Sequence, residues 1–162
     1  LLAECYSKLF NINAIGLRFF TVYGPWGRPD MATFIFTKKI LKNEAIDIFN
    51  YGKMKRDFTY IDDIVKGIFG AIQFKSSKKS SHKVYNLGNN NSEELMKFIE
   101  VIEKNLEIKS KKNFLPMQPG DVKETFADIF ESERDLNFKP KTRIQDGIPK
   151  FINWYKAYYN VK

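Results

Sequence analysis

The chain has 162 residues, 43% of them hydrophobic and 28% charged, which suits one compact soluble domain with a real core. No apolar run approaches the roughly 20 residues of a membrane span, and the single cysteine, Cys5, excludes an internal disulfide; with no signal-peptide pattern at the start, a cytoplasmic setting is expected. The net charge of +8 would draw an anionic ligand, but only residues 75–83 concentrate basic side chains, and their serines read as loop, so no nucleic-acid partner is expected.

Leu1, Leu2, Cys5, Tyr6 and Leu9 recur at helical spacing. Nothing precedes Leu1 to cap that helix, so it is expected to continue a longer polypeptide. Residues 15–22 read as a strand, 34–41 as a helix ended by Asn43, 46–49 as a short strand and 58–61 as extended. Asp62 or Asp63 then caps a helix over 64–74. Residues 83–87 read as a strand closing on Gly88-Asn89-Asn90-Asn91. Asn91 with Glu94 fits a capping box, and Leu95, Phe98, Ile99, Ile102 and Leu106 form one helical stripe. Residues 114–117 are extended, 118–121 turn, and 132–136 form a short helix. Thr142 with Gln145 is a second capping box, opening a helix to about 159 that Pro149 should kink. Alternating strands and helices predict an α/β or α+β architecture.

The most informative stretch is Arg18-Phe-Phe-Thr-Val-Tyr-Gly-Pro-Trp-Gly-Arg-Pro-Asp-Met31, an apolar strand emptying into a loop of Gly, Pro and Arg, the way α/β enzymes often end a strand at a ligand site. It resembles the extended short-chain dehydrogenase/reductases, and within them the NAD-dependent nucleotide-sugar epimerases and dehydratases, UDP-glucuronate 4-epimerases above all. Residues 46–63, with Ile46-Asp-Ile-Phe49 and Arg56-Asp-Phe-Thr-Tyr-Ile-Asp-Asp63, and residues 115–122, Leu-Pro-Met-Gln118-Pro-Gly-Asp121-Val, resemble the same group in the same order. Three co-linear motifs carry more weight than any one of them.

The resemblance implies an α/β fold: the last strands of a Rossmann-like sheet plus a small C-terminal substrate-binding domain, with the N-terminal Rossmann half missing. Residues 1–30 and 62–110 would supply sheet strands and helices, and 31–61 and 111–162 the substrate part. It also implies roles for individual residues. Phe20 would contact the nicotinamide of NAD. Thr21 would face the sugar, where galactose-type relatives carry Asn, and Arg28 would lie above it, its planar fork suited to a carboxylate or diphosphate. Phe49 would hold the uracil, Arg56 the diphosphate and Asp121 the ribose. Gln118 stands near a position where galactose-type relatives carry Arg; its neutral side chain fits the glucuronate subgroup. Five of these residues also have a plainer reading: Thr21 a strand residue, Arg28 a surface arginine, Phe49 a core aromatic, Arg56, beside Asp57, a structural ion pair, and Asp121 a turn-stabilising carboxylate.

The family's Tyr-x-x-x-Lys pair, in which the lysine lowers the tyrosine pKa for proton transfer, has no credible match. Tyr51/Lys55 flank a loop glycine, and Tyr158/Lys162 lie at the fraying end. The pair is expected just upstream of Leu1, and no segment has the Gly-rich dinucleotide loop. With one His and one Cys, no metal site is expected. The expected activity is therefore UDP-sugar binding by the C-terminal part of an NAD-dependent 4-epimerase of the UDP-glucuronate to UDP-galacturonate type, inactive alone and binding NAD poorly alone. Two alternatives stand beside it: a non-catalytic split-chain module needing an N-terminal partner, and a fragment of a nucleotide-sugar dehydratase. The unpaired edge of the strand at 15–22 and the apolar face of the first helix predict self-association or pairing with an N-terminal half.

Overall fold

The computed structural model describes residues 1–76 and 81–161. Residues 77–80 of the Lys/Ser loop, and Lys162 of the second Tyr-x-x-x-Lys spacing, lie outside them. The element order is α1 (Leu2–Phe10), β1 (Ala14–Phe19), β2 (Thr21–Tyr23), α2 (Ala32–Leu41), β3 (Ala45–Ile48), a 3-10 turn (Phe49–Gly52), β4 (Lys55–Tyr60), α3 (Ile61–Gln73), β5 (His82–Leu87), β6 (Ser92–Glu94), α4 (Leu95–Leu106), β7 (Lys111–Phe114), α5 (Phe130–Leu136) and α6 (Ile144–Tyr159). Among the described residues no helix is long and apolar enough to cross a membrane.

The strand expected over 15–22 is two strands that change partner at Phe20. β1 runs parallel to β5, with Gly16 opposite Val84 and Phe19 opposite Leu87. The Phe20 amide makes the last link, to the Leu87 carbonyl at 3.1 Å. From Thr21 onward the chain leaves β5 and pairs in parallel with β4, Thr21 opposite Phe58. β4 is flanked on its other side by antiparallel β6, and β3 pairs in parallel with β7. Parallel pairs need crossovers, here supplied by α2 between β2 and β4 and by the α2-to-α3 segment between β1 and β5. The result is a mixed α/β structure with parallel sheets, as expected. The partner switch opens a crevice at the carboxyl ends of β1 and β2, where open α/β sheets bind ligands.

Two hydrophobic cores flank this crevice. One gathers Ile64, Tyr85, Leu87, Ala127, Leu136 and Phe138 around β1, α3, β5 and α5. The larger gathers α2, β3, β4, α4 and α6 around Tyr23, Phe58 and Phe98. The rings of Phe58 and Phe98 stack at 3.9 Å, and Tyr23 meets Phe98 edge-on at 5.9 Å. The whole predicted stripe on α4, from Leu95 to Leu106, is buried there. Burial raises the Tyr23 phenol pKa.

Several local expectations give way to tertiary contacts. Asn91 and Glu94 form no capping box: residues 92–94 are taken into β6, and the Asn91 amide nitrogen donates to Glu93. α3 starts at Ile61, three residues early, with no side-chain cap. Asp63 instead accepts the backbone amides of Lys141 and Thr142 at 3.0 and 2.8 Å. Thr142 consequently does not cap α6, whose N-cap position is Arg143, without a side-chain cap bond. α6 continues through Pro149 in its second turn, at the cost of one backbone hydrogen bond. On α1 the buried side chain is Ser7, while Leu2, Tyr6 and Leu9 are exposed.

Candidate functional site

Two cavities open beside the partner switch. Phe19, Phe20, Val22 and Tyr23 line a cavity of about 600 Å³, and Thr21 lines one of about 270 Å³.

The larger cavity is closed by the loop from Gly24 to Asp30. Gly24 sits at φ +143°, and a Cβ there would come within 2.4 Å of the Ile61 side chain, so the loop can leave β2 at this angle only with glycine. Trp26 holds a left-handed backbone at φ +62°, a costly conformation for a bulky residue. Its ring packs on Trp154 and Tyr158 of α6, at 5.2 and 5.1 Å between centroids, and these contacts offset the strain. Arg28 lines this cavity with an exposed side chain. Among the described residues its guanidinium meets a sulfur and an exposed carboxylate: Nη2 lies 3.2 Å from Met31 Sδ, and Nε lies 3.4 Å from Asp30.

The smaller cavity brings together Thr21, Phe49, Arg56 and Asp121, four residues spread over a hundred positions of sequence. Phe49 opens the 3-10 turn after β3 and is half-buried. Arg56 lies on β4, and its Nη2 donates to Asp121 Oδ1 at 2.7 Å. Its Nη1 donates to the carbonyls of Lys55 and Lys123 at 2.8 and 3.3 Å. A guanidinium has five N–H donors, so two are left for a ligand. Asp121 Oδ1 also accepts the Val122 amide at 2.8 Å. Asp47, on the same wall, is held below the usual carboxylate range by hydrogen bonds from Lys39 and Asn113. Gln118 is exposed and lines neither cavity; its carbonyl accepts the Asp121 amide, so it shapes the turn that carries Asp121.

Sequence reasoning overlooked Asp57, which it saw only as a charge beside Arg56. Asp57 is fully buried and makes no ion pair with Arg56. Its carboxylate accepts the Thr59 hydroxyl, the Asn89 amide at 2.5 Å and the Ala127 amide at 3.1 Å. It thereby ties β4 to the end of β5 and to the segment following Asp121. Gly88 allows this approach: a Cβ there would meet Ala127 at 2.3 Å and Phe20 at 3.1 Å. The one signal in the sequence was a carboxylate directly before the strand-type run Phe58-Thr59-Tyr60, a placement that demands hydrogen-bonded partners if buried.

Parallel strands joined by crossover helices, with cavities at their carboxyl ends, define a Rossmann-like α/β protein. The chain belongs to the NAD dependent epimerase/dehydratase family, whose model matches residues 1–88. It is 50% identical to Protein CapI of Staphylococcus aureus across 98% of this chain and 52% of that protein. It is 44% identical to UDP-glucuronate 4-epimerase 3 of Arabidopsis thaliana across 98% of this chain and 40% of the relative. Among solved structures, UDP-glucuronic acid 4-epimerase from Bacillus cereus, in complex with UDP-glucuronic acid and NAD, superposes with a TM-score of 0.89 at 36% identity, covering 98% of this chain and 50% of that one. The chain thus spans about half the length of the relatives it matches.

Proposed function

We propose that the chain is the UDP-sugar-binding part of an NAD-dependent nucleotide-sugar 4-epimerase acting on UDP-glucuronate. The observation that carries this reading is the convergence of Thr21, Phe49, Arg56 and Asp121 on one cavity. The nucleotide lies in that cavity: Phe49 covers the uracil, Asp121 accepts from the ribose hydroxyls, and the free donors of Arg56 take the diphosphate. The sugar passes Thr21, whose hydroxyl faces the smaller cavity, and extends into the larger one, where Arg28 takes the carboxylate. Arg28 suits this role because a thioether and a solvated carboxylate are weak competitors for its charge.

For NAD, the apolar wall at Phe20 fits a nicotinamide ring, while no Gly-rich phosphate loop follows a strand in this sequence. When bound, NAD supplies the hydride acceptor for oxidation at the sugar C4. The residues of this chain orient the nucleotide, present the sugar and exclude water from its apolar side. Sheet strands and substrate-facing segments interleave along the chain, and NAD binds weakly to it alone.

Titration calorimetry of the chain with UDP-glucuronic acid tests the reading. Saturable binding that is lost with Arg56→Ala supports it, and absence of binding rejects it. A second reading, a split-chain module that works only with a complementary N-terminal polypeptide, is favoured by the exposed Leu2, Tyr6 and Leu9 on α1. Turnover appearing only after mixing with the N-terminal half of a relative would select it.

A further inference from the structure

Among the described residues Met31 is the one side chain shared by the two cavities: it lines the 600 Å³ space with Phe20 and Arg28, and the 270 Å³ space with Thr21 and Arg56. Its backbone is pinned from both sides. The Met31 amide donates to the Arg28 carbonyl at 3.2 Å, and its carbonyl accepts the Ile35 amide at 3.0 Å, closing the first turn of α2. The side chain has no such anchor. It is half-buried, and its polar contact is the Arg28 guanidinium, 3.2 Å from the sulfur. An unbranched, polarizable thioether on a fixed backbone can move between rotamers without disturbing the fold.

From this we infer that Met31 is a specificity-determining partition between a nucleotide compartment and a sugar compartment. The inference rests on the functional reading above. A ligand confined to the Arg56 side, such as UDP, leaves Met31 where it is. A UDP-sugar must span both spaces and therefore displace the thioether, which at the same time frees Arg28 from the sulfur. The residue at position 31 thus sets how much affinity the sugar adds to the nucleotide. A bulkier and stiffer ring there narrows the passage between the two spaces while leaving the Arg56 and Asp121 side chains in place.

The test compares UDP and UDP-glucuronic acid by titration calorimetry on the unsubstituted chain, Met31→Phe and Met31→Leu. The expected result is that Met31→Phe holds UDP affinity within about twofold while weakening UDP-glucuronic acid about tenfold, as one lost set of sugar contacts requires. Met31→Leu, close in volume and still flexible, stays within about threefold for both. Retained UDP binding also shows that the substituted chain is folded. Equal losses for both ligands, or no change for either, would overturn the partition while leaving the functional reading intact. If the unsubstituted chain binds neither ligand, the functional reading fails and the partition with it.

Discussion

The Arg56 guanidinium and the Asp121 carboxylate, 65 residues apart in sequence, meet at 2.7 Å across the mouth of the smaller cavity. Both are partly shielded, with 16% and 32% of their side-chain surface exposed. The pair therefore lies between a surface ion pair, which contributes little, and a buried one whose rupture is costly. A double-mutant cycle with Arg56→Ala and Asp121→Ala should return a coupling of about 1 kcal/mol in urea unfolding. In binding, each single change should weaken UDP at least about tenfold, because each also removes a proposed ligand contact. Coupling in stability without loss of UDP affinity would reduce the pair to a structural tie.

Asp57 carries a heavier structural duty. Three donors converge on a carboxylate with no solvent access. Asp57→Asn turns an amide N–H toward those donors, so we expect a loss of about 3 kcal/mol, from the range for hydrogen bonds to buried charged groups. Chemical denaturation reads this directly, and faster amide exchange at Asn89 and Ala127 should accompany it. A variant as stable as the parent would show that the three segments hold together without the carboxylate.

Glu103, at the end of α4, gives the fold an acid-sensitive point. Burial works against its charge, but Lys112, the Ser110 hydroxyl and amide, and Lys109 all donate to it, and together they lower its pKa to about 2. A carboxyl whose folded pKa lies below its unfolded value stabilises fully above the unfolded pKa. That contribution is lost as the pH falls through the folded one. Stability should therefore decline from about pH 4.5 toward about pH 2, by on the order of 3 kcal/mol from this group. Glu103→Gln should flatten that part of the pH profile, and an unchanged slope would assign the acid lability elsewhere.

Trp26 and Trp154 are the only tryptophans, and their rings lie 5.2 Å apart. Near-ultraviolet circular dichroism should show a coupled tryptophan signal that vanishes with Trp26→Phe. The same substitution should cost about 1 kcal/mol, the scale of an aromatic pair. A signal that survives would mean that the loop carrying Arg28 is not held against α6.

The exposed face of α1 predicts association. Leu2 and Leu9 are 73% and 76% exposed, with Tyr6 between them. Light scattering should find species larger than 19.0 kDa, and Leu2→Lys with Leu9→Lys should reduce them. A monomeric parent chain at working concentration would contradict this.

Elements with a strong local period were legible in the sequence. The α4 stripe is buried as its spacing predicts, and Asn43 closes α2 in a left-handed conformation. The elements misread were those decided by distant partners. Residues 92–94 carry helix-start chemistry, yet Arg56 and Asp57 draw them into β6. Asp63 carries a capping signal, yet it serves backbone amides 78 and 79 residues away. The break at Phe20 was invisible because it is set by where β4 and β5 arrive. The candidate site was legible through motif resemblance, which named Thr21, Phe49, Arg56 and Asp121. Met31 and Asp57 went unassigned because a lone thioether or carboxylate acquires meaning only from what surrounds it, and Gln118 lines neither cavity.

The central claim is that Phe49, Arg56 and Asp121 form a nucleotide site. Amide chemical-shift mapping during titration with UDP tests it most directly. Saturable shifts should be concentrated at those three residues, with α5 and the Glu103 region unmoved. Shifts that fail to saturate, or that cluster instead around the Lys83–Asp135 ion pair on the far side of β5, would contradict it.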